Sequence, residues 1–267
     1  MTRGRNVSAD DVLQVLEGHA SCRSYLRDSV PHADIERIVS AAQQAATSSN
    51  LQMWSAVVVE TESTRQRLAE LCGDQRHVRE APVFIAWCAD RRRLDTAAEL
   101  QGYRQDTEFL ESFMVAVVDT AIAMQNATIA AEAMGYGSCY IGGLRNHTAE
   151  VVELLKLPAT VFPVAGMTLG VPAKVGRPRP RLDRAAVLHW EHYQPVSPSV
   201  LRTYDRVMQA SGVYRGRQVP GTTADGHPAA EMPAAEYGWM EHSARRVSRA
   251  SRKDLSATAR RQGYGLR

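Results

Sequence analysis

VAVVDTAIAMQNATIAAEAMGYGSCYIGGLRN, residues 115–146, carries the chain from a long helix through a break into a strand and a double glycine. From Val115 to Met134 apolar positions recur with small ones: Ala116, Ala121, Ala123, Ala127, Ala130, Ala131 and Ala133. Small side chains let neighbouring elements approach closely, the pattern of a central packed helix of the kind that can sit at a subunit interface. Gly135 and Gly137 end it, and Ser138–Ile141 reads as a strand. Working outward, Ser55–Glu60 is a β-branched run and Val83–Cys88 a second strand, with Val164–Leu169 a third beyond the break. Between them lie helical patterns at Thr64–Leu71 and Thr148–Lys156, and from about His32 to Ala46, where Ile35, Ile38, Val39 and Ala42 share a face. Arg91 to Glu111 is charged and helix-prone. At the start, Ser8 with Asp10 and Asp11 marks a helix N-terminus, Val12, Val15 and Leu16 give it a face, and Gly18 stops it. Strands alternating with helices place the chain among α/β or α+β folds.

The 267 residues carry 32 Lys+Arg against 29 Asp+Glu, a net charge of +3, with 44% hydrophobic and 6% aromatic content. That excludes wholesale disorder and disfavours a base-stacking platform for nucleic acid. The most apolar stretch, Phe113 to Met134, is interrupted by Asp119, Gln125, Asn126 and Glu132, so no membrane span is expected. Cys22, Cys72, Cys88 and Cys139 are widely spaced, which fits neither a disulfide framework nor a zinc ribbon and points to a reducing cytoplasm. After Leu169 the character changes. Gly170 to Arg184 is a Pro/Arg loop, Ser199–Gln209 a short helix, and 216–233, with Gly216, Gly221, Gly226, Pro220, Pro228 and Pro233, a loop. Tyr237 to Gln262 reads as one basic helix. Such a tail is more naturally an arm clasping a partner than a second domain.

Four clusters offer chemistry. His19-Ala20-Ser21-Cys22-Arg23 follows the first helix, and its imidazole, hydroxyl and guanidinium can reach one anion. Thr47-Ser48-Ser49-Asn50-Leu51-Gln52 is a polar loop at a strand edge, where sheets hold ligands. In Tyr140-Ile141-Gly142-Gly143-Leu144-Arg145-Asn146, two glycines at a strand end let backbone N–H groups approach a flat ligand. Arg177-Pro178-Arg179-Pro180-Arg181 is an extended cationic run suited to phosphate. Singly, each is also an ordinary turn, cap or surface linker. His189-Trp190-Glu191-His192 is not a metal motif, and no metal site is expected. His77, His147, His227 and His242 read as surface or packing residues.

In order along the chain, His19-x-Ser21-x-Arg23, Thr47–Gln52, Gly73-x-Gln75-x-His77, Tyr140–Asn146 and Arg179-Pro180-Arg181-Leu182 resemble the nitroreductase superfamily. Within it the chain is similar to the branch of oxygen-insensitive NADPH nitroreductases and NADPH–FMN oxidoreductases. The resemblance runs from about Asp11 to Gln209 and is weaker at Arg215 and Ala250-Ser251-Arg252. It implies an α+β homodimer with a nitroreductase-like central, mostly antiparallel sheet flanked by helices and a domain-swapped C-terminal arm. An FMN-binding domain of residues 1–198 would be followed by an arm, 199–267, wrapped around the partner subunit. Two FMN molecules would lie at the subunit interface. His19, Ser21 and Arg23, with Arg179 and Arg181, would hold the ribityl phosphate. Thr47, Ser48 and Ser49 would approach the isoalloxazine, and Gln75 its pyrimidine edge. Tyr140, Ile141, Gly142 and Gly143 would line the ring with backbone donors, and Arg215 and Arg252 would meet NADPH phosphates. Ala20 stands where the family often has a second arginine and Arg179 where a lysine is common. The 216–233 loop also looks longer than in close relatives.

The implied activity is ping-pong hydride transfer from NADPH through flavin N5 to nitroaromatics, quinones or free flavin, with no side chain catalytic in its own right. A dedicated NADPH:flavin reductase is the same-fold alternative. A flavin-storage protein and a nucleic-acid regulator led by the basic tail are those of other classes.

Overall fold

The computed structural model describes residues 8–267. The chain forms two compact units: one runs through Pro178 and takes up again at Arg252–Arg267, and the other is Arg179–Ser251.

The first unit is built on a four-stranded sheet of β1 (Trp54–Val59), β2 (Val83–Asp90), β3 (Gly137–Ile141) and β4 (Val161–Gly170). Their order is β1-β2-β4-β3 and every neighbouring pair is antiparallel. Its helices are α1 (Ala9–Glu17), α2 (His32–Gln43), α3 (Glu62–Leu71), α4 (Arg76–Glu80), α5 (Arg92–Leu100), α6 (Leu110–Ala133) and α7 (Thr148–Leu154). As the serine pattern predicts, Ser8 Oγ caps α1 by accepting the Asp11 amide at 3.2 Å. All of β2 is buried because both sheet faces are covered. Ile85 and Trp87 face one core with Ile38 and Ala42 of α2 and Ala123, Ala127 and Ala131 of α6. Phe84, Ala86 and Cys88 face a second, with Leu68, Val78, Leu144 and Val151. The period-two alternation of a strand accounts for this division.

Two readings need correction. The third expected strand begins at Val161 rather than Val164, because Pro163 lies inside it. Proline lacks the N–H a central strand donates, and the structure accommodates it at a register shift opposite Trp87 and Cys88. The expected basic helix 237–262 is two helices, α9 (Trp239–Val247) and α10 (Leu255–Arg261), separated by a break in which Arg252 takes φ 54°. The four cysteines are buried and form no disulfide, and burial pushes the Cys72 and Cys88 thiols up to about 12.

Helix α6 is long and apolar enough to cross a membrane by length and composition. Its inner face nevertheless packs in the sheet core and buries Asp119, Thr120 and Thr128. After α10, the last residues return to the first unit. Tyr264 lies edge-on to Phe113, Thr160 N–H donates to Gln262 C=O at 2.9 Å, and Gly265 N–H donates to Thr107 C=O at 2.7 Å.

The second unit contains α8 (Pro198–Ala210) and α9, joined by 216–233. Asp205 of α8 caps α9 by accepting the Met240 amide at 2.7 Å. A buried guanidinium shapes the long loop. Arg245 of α9 pairs with Glu241 at 2.6 Å and donates to Ala230 C=O at 2.7 Å, and Gly221 sits against its side chain.

Candidate functional site

Residues 19–26 run as an extended segment along the end of the sheet. Cys22 N–H donates to Ser138 C=O at 2.7 Å, Leu26 N–H to Val171 C=O at 2.9 Å, and Ala173 N–H to Ser24 C=O at 2.9 Å. Tyr25 pairs with Pro172, and its hydroxyl donates to Cys22 C=O at 2.8 Å. With Cys22 turned into the core, strand alternation puts His19, Ser21 and Arg23 on the opposite side, where Ser21 and Arg23 are exposed and His19 half-buried. His19 Nδ1 also lies 2.7 Å from Glu132 Oε1 at the end of α6, a partner its sequence neighbourhood does not reveal.

The turn before α4 comes to the same region. Gln75 Nε2 donates to Cys72 C=O at 2.7 Å. Two residues on, His77 has a buried Nε2 with no hydrogen-bond partner, and its pKa is lowered by burial first and then by the charge of Arg23. The Arg23 charge is therefore felt at His77 on α4.

The double glycine forms a tight 3-10 turn, Gly142–Arg145, directly after β3. A Cβ on Gly143 would lie 2.3 Å from Cys72 O and 2.8 Å from Gln75 Nε2, so this turn and the Gln75 turn meet backbone to backbone. At Gly142 there is space instead: the nearest atoms to such a Cβ are Arg145 Nη2 and Arg252 Nη2, both at 3.7 Å. Two guanidiniums thus converge over Gly142. Burial lowers the Arg145 pKa and the Arg252 charge lowers it further. Arg252 Nε also donates to Asn146 Oδ1 at 3.2 Å. Ile141 has its side chain in the second core and offers a ligand only its backbone. Tyr140 directs its hydroxyl to Thr128 Oγ1 (2.7 Å) and Met124 C=O (3.0 Å) on α6.

Thr47–Gln52 is held by a different element. Around the 3-10 turn Ser48–Asn50, Ser48 N–H donates to Asp119 of α6, with Ser48 and Ser49 exposed and Thr47 half-buried. Arg179, Arg181 and Arg215 belong to the second unit. Burial raises the Tyr214 phenol and the nearby Arg179 charge opposes that rise, while Tyr214 stacks on His242 at 4.5 Å. His242 has its pKa lowered by burial, then by the charges of Arg246 and Arg217. Arg181 lines a groove of about 340 Å³ with Ser199, Thr203 and Tyr204 of α8.

These features suit a planar anionic cofactor. The Gly142 backbone is uncrowded, with only the two guanidinium tips 3.7 Å from where a Cβ would stand, which suits close approach by a flat ring. The Arg23 guanidinium and the Ser21 hydroxyl on the exposed side of 19–23 suit a phosphate, and the paired guanidiniums suit electron-rich ring oxygens and nitrogens.

The comparisons agree with that fit. Residues 16–171 match the nitroreductase family model and residues 179–267 the model of the nitroreductase family, C-terminal domain. The oxygen-insensitive NADPH nitroreductase of Salmonella typhimurium is 34% identical over 256 residues, covering 96% of this chain and 98% of that one. An FMN reductase [NAD(P)H] of Bacillus subtilis is 37% identical over 203 residues, 74% of this chain and 82% of that one. The structure of the NADPH:FMN oxidoreductase of Vibrio harveyi complexed with NAD+ superposes with a TM-score of 0.83 at 29% identity, covering 96% of this chain and 100% of that one. Sheet, glycine turn and sequence relatives together make this chain a member of the nitroreductase family.

Proposed function

We propose that the chain is an FMN-dependent NADPH oxidoreductase that passes reducing equivalents to nitroaromatics, quinones or free flavin. The observation that carries this reading is the convergence of the Arg145 and Arg252 guanidinium tips on Gly142, each 3.7 Å from where a Cβ would stand. FMN, when bound, supplies two-electron chemistry at N5. The chain's own part is binding, orientation and charge. His19, Ser21 and Arg23, with Arg179 and Arg181, take the phosphate. Gln75 meets the pyrimidine edge, and the backbone of Tyr140–Gly143 lies along the ring. Arg145 and Arg252 stabilise negative charge beside Gly142, and the family resemblance assigns Arg252 and Arg215 to the phosphates of NADPH. This chemistry asks no general acid–base pair of the protein. Donor and acceptor use one open face in turn, which gives ping-pong kinetics. The dedicated flavin reductase is a special case with free flavin as acceptor, and the FMN reductase relative keeps it in view.

The functional form in this reading is a homodimer in the cytoplasm, with an arm toward the partner drawn from residues 199–267, of which Arg252–Arg267 belongs to the first unit. Two surface features support an interface. Leu110, Met114, Val118 and Ile122 recur every fourth residue on α6 and are between 39% and 52% exposed, beside Val12, Leu13 and Leu16 of α1, also exposed. β1 is an edge strand, and a groove of about 760 Å³ runs along it, lined by Val39, Gln43, Trp54, Ala56 and Val58, room for an extended segment.

Purified protein is expected to carry yellow flavin that bleaches anaerobically with NADPH and recovers on adding a nitrofuran, a quinone or FMN. Bleaching with no recovery by any acceptor would leave a storage protein, and absence of flavin would remove the whole reading. Arg23→Ala should weaken FMN retention about tenfold to a hundredfold, the ~1.5–3 kcal/mol of a hydrogen bond to a charged group, while riboflavin affinity stays unchanged. Equilibrium fluorescence titration with both flavins checks this. Equal FMN affinity in variant and wild type would take Arg23 out of the phosphate site.

A further inference from the structure

Helix α6 carries a buried carboxylate that none of these roles uses. Asp119 is 1% exposed. Its Oδ1 accepts Ser48 N–H at 3.0 Å and its Oδ2 accepts Met53 N–H at 3.0 Å, so the two oxygens bracket the whole 48–53 turn. Inside the bracket, Ser49 (φ 48°), Asn50 (φ 56°) and Gln52 (φ 53°) occupy the left-handed region without being glycine. That conformation is disfavoured for residues with a Cβ and persists where the surroundings impose it. The far end of the turn has other ties. Arg93 Nη2 donates to Gln52 C=O at 2.8 Å and to Trp54 C=O at 2.6 Å, and Met53 C=O accepts Asp90 N–H at 3.0 Å. At the near end, Asp119 is what ties the Ser48 amide to the helix. A buried carboxylate is unfavourable unless hydrogen-bonded, and a hydrophobic side chain would fill the same space in α6 without that cost. Its presence marks the turn's shape as the thing being maintained.

We propose that Asp119 is a positioning residue for the flavin: by gripping the Ser48 and Met53 amides it presents Thr47–Ser49 to the isoalloxazine in one fixed geometry. This rests on the proposed FMN reading and on the expectation from the family resemblance that Thr47–Ser49 approach the isoalloxazine. The carboxylate touches neither cofactor nor substrate and acts only through the loop's backbone.

Asp119→Asn keeps side-chain size and one acceptor oxygen but turns an NH2 group toward one of the two amides. Folded Asp119→Asn is expected to bind FMN about tenfold more weakly (~1.4 kcal/mol), with an altered visible circular dichroism spectrum of the bound flavin. A merely structural role would lower the melting temperature and leave that spectrum unchanged. If Asp119→Asn does not fold, Ser49→Val provides the second measurement. A β-branched side chain resists φ 48° at an exposed position, so the fold stands while the loop is displaced, and the same loss and spectral change are expected. Unchanged FMN affinity and spectrum in whichever of the two variants folds would overturn the role of Asp119. Wild-type protein that binds no FMN would overturn the flavin reading itself and this proposal with it, and that result is seen before any variant is made.

Discussion

Gly143→Ala is expected to destabilise the protein by about 3 kcal/mol or more, a fall of roughly 6–12 °C in melting temperature for a chain of this size. The added methyl would start 2.3 Å from the Cys72 carbonyl oxygen and 3.0 Å from its carbon. Neither atom belongs to a side chain that can swing away. Leu144 anchors one of the two backbones in the second core, and Leu68, Leu71, Cys72 and Val78 anchor the other. Relief therefore means pulling the Gly142–Arg145 turn off the Gln75 turn. Gly142→Ala is the contrasting case. Its methyl meets only two guanidinium tips at 3.7 Å, so the melting temperature should hold while FMN affinity falls, because the methyl occupies the space assigned to the ring. Thermal denaturation of the flavin-free proteins, alongside FMN titration, separates the two effects. Equal melting temperatures for Gly143→Ala and wild type would mean that the turns are not locked together.

Val118→Glu should convert the proposed dimer to a monomer at micromolar concentration without loss of helix content. Val118 is the third residue of the α6 stripe and is 51% exposed in the single chain, so a glutamate there remains hydrated in the monomer. In a dimer closed over the stripe the same carboxylate would be buried without a partner, at a cost of several kcal/mol. Sedimentation equilibrium with circular dichroism reads both sides of the prediction. A Val118→Glu protein that stays dimeric would move the interface off this face. One residue further along, Asp119 points the other way and holds the Ser48 turn. The same helix thus serves the proposed interface on its outer side and the proposed flavin loop on its inner side.

Much of this architecture is visible in the one-dimensional pattern, for identifiable reasons. The alanines of residues 116–133 announce a helix that neighbours can approach, and α6 packs on both α2 and the sheet. The β-branched run 55–59 and the apolar run from Val83 mark β1 and β2. Pro163 hides the start of β4, because its fit depends on a register shift against a strand 75 residues earlier. α4 escapes detection because five residues leave no periodicity to read. Around the site, the composition of Thr47–Gln52 and Tyr140–Asn146 signals a ligand surface. No local pattern pairs His19 with Glu132, 113 positions apart. Asp119 does leave a trace, as a charged residue in an otherwise apolar helix, and such an interruption marks either an exposed face or a buried task. Arg245 is harder to foresee. Within a basic stretch it looks solvated, and only the tertiary fold shows it clasped by Glu241, Val219 and Ala230.

The placement of the four thiols has a practical consequence. Cys22 lies beneath the 19–23 segment, Cys72 at the Gln75 turn, Cys88 in the central strand and Cys139 in the strand leading to Gly142. All four residues are buried while the chain stays closed, which slows their reaction, and the thiols of Cys72 and Cys88 also resist ionisation. Each therefore acts as a built-in timer for its own neighbourhood. The sequence in which a maleimide marks them would chart which part of the molecule breathes first, and adding FMN would show which of those openings the cofactor closes.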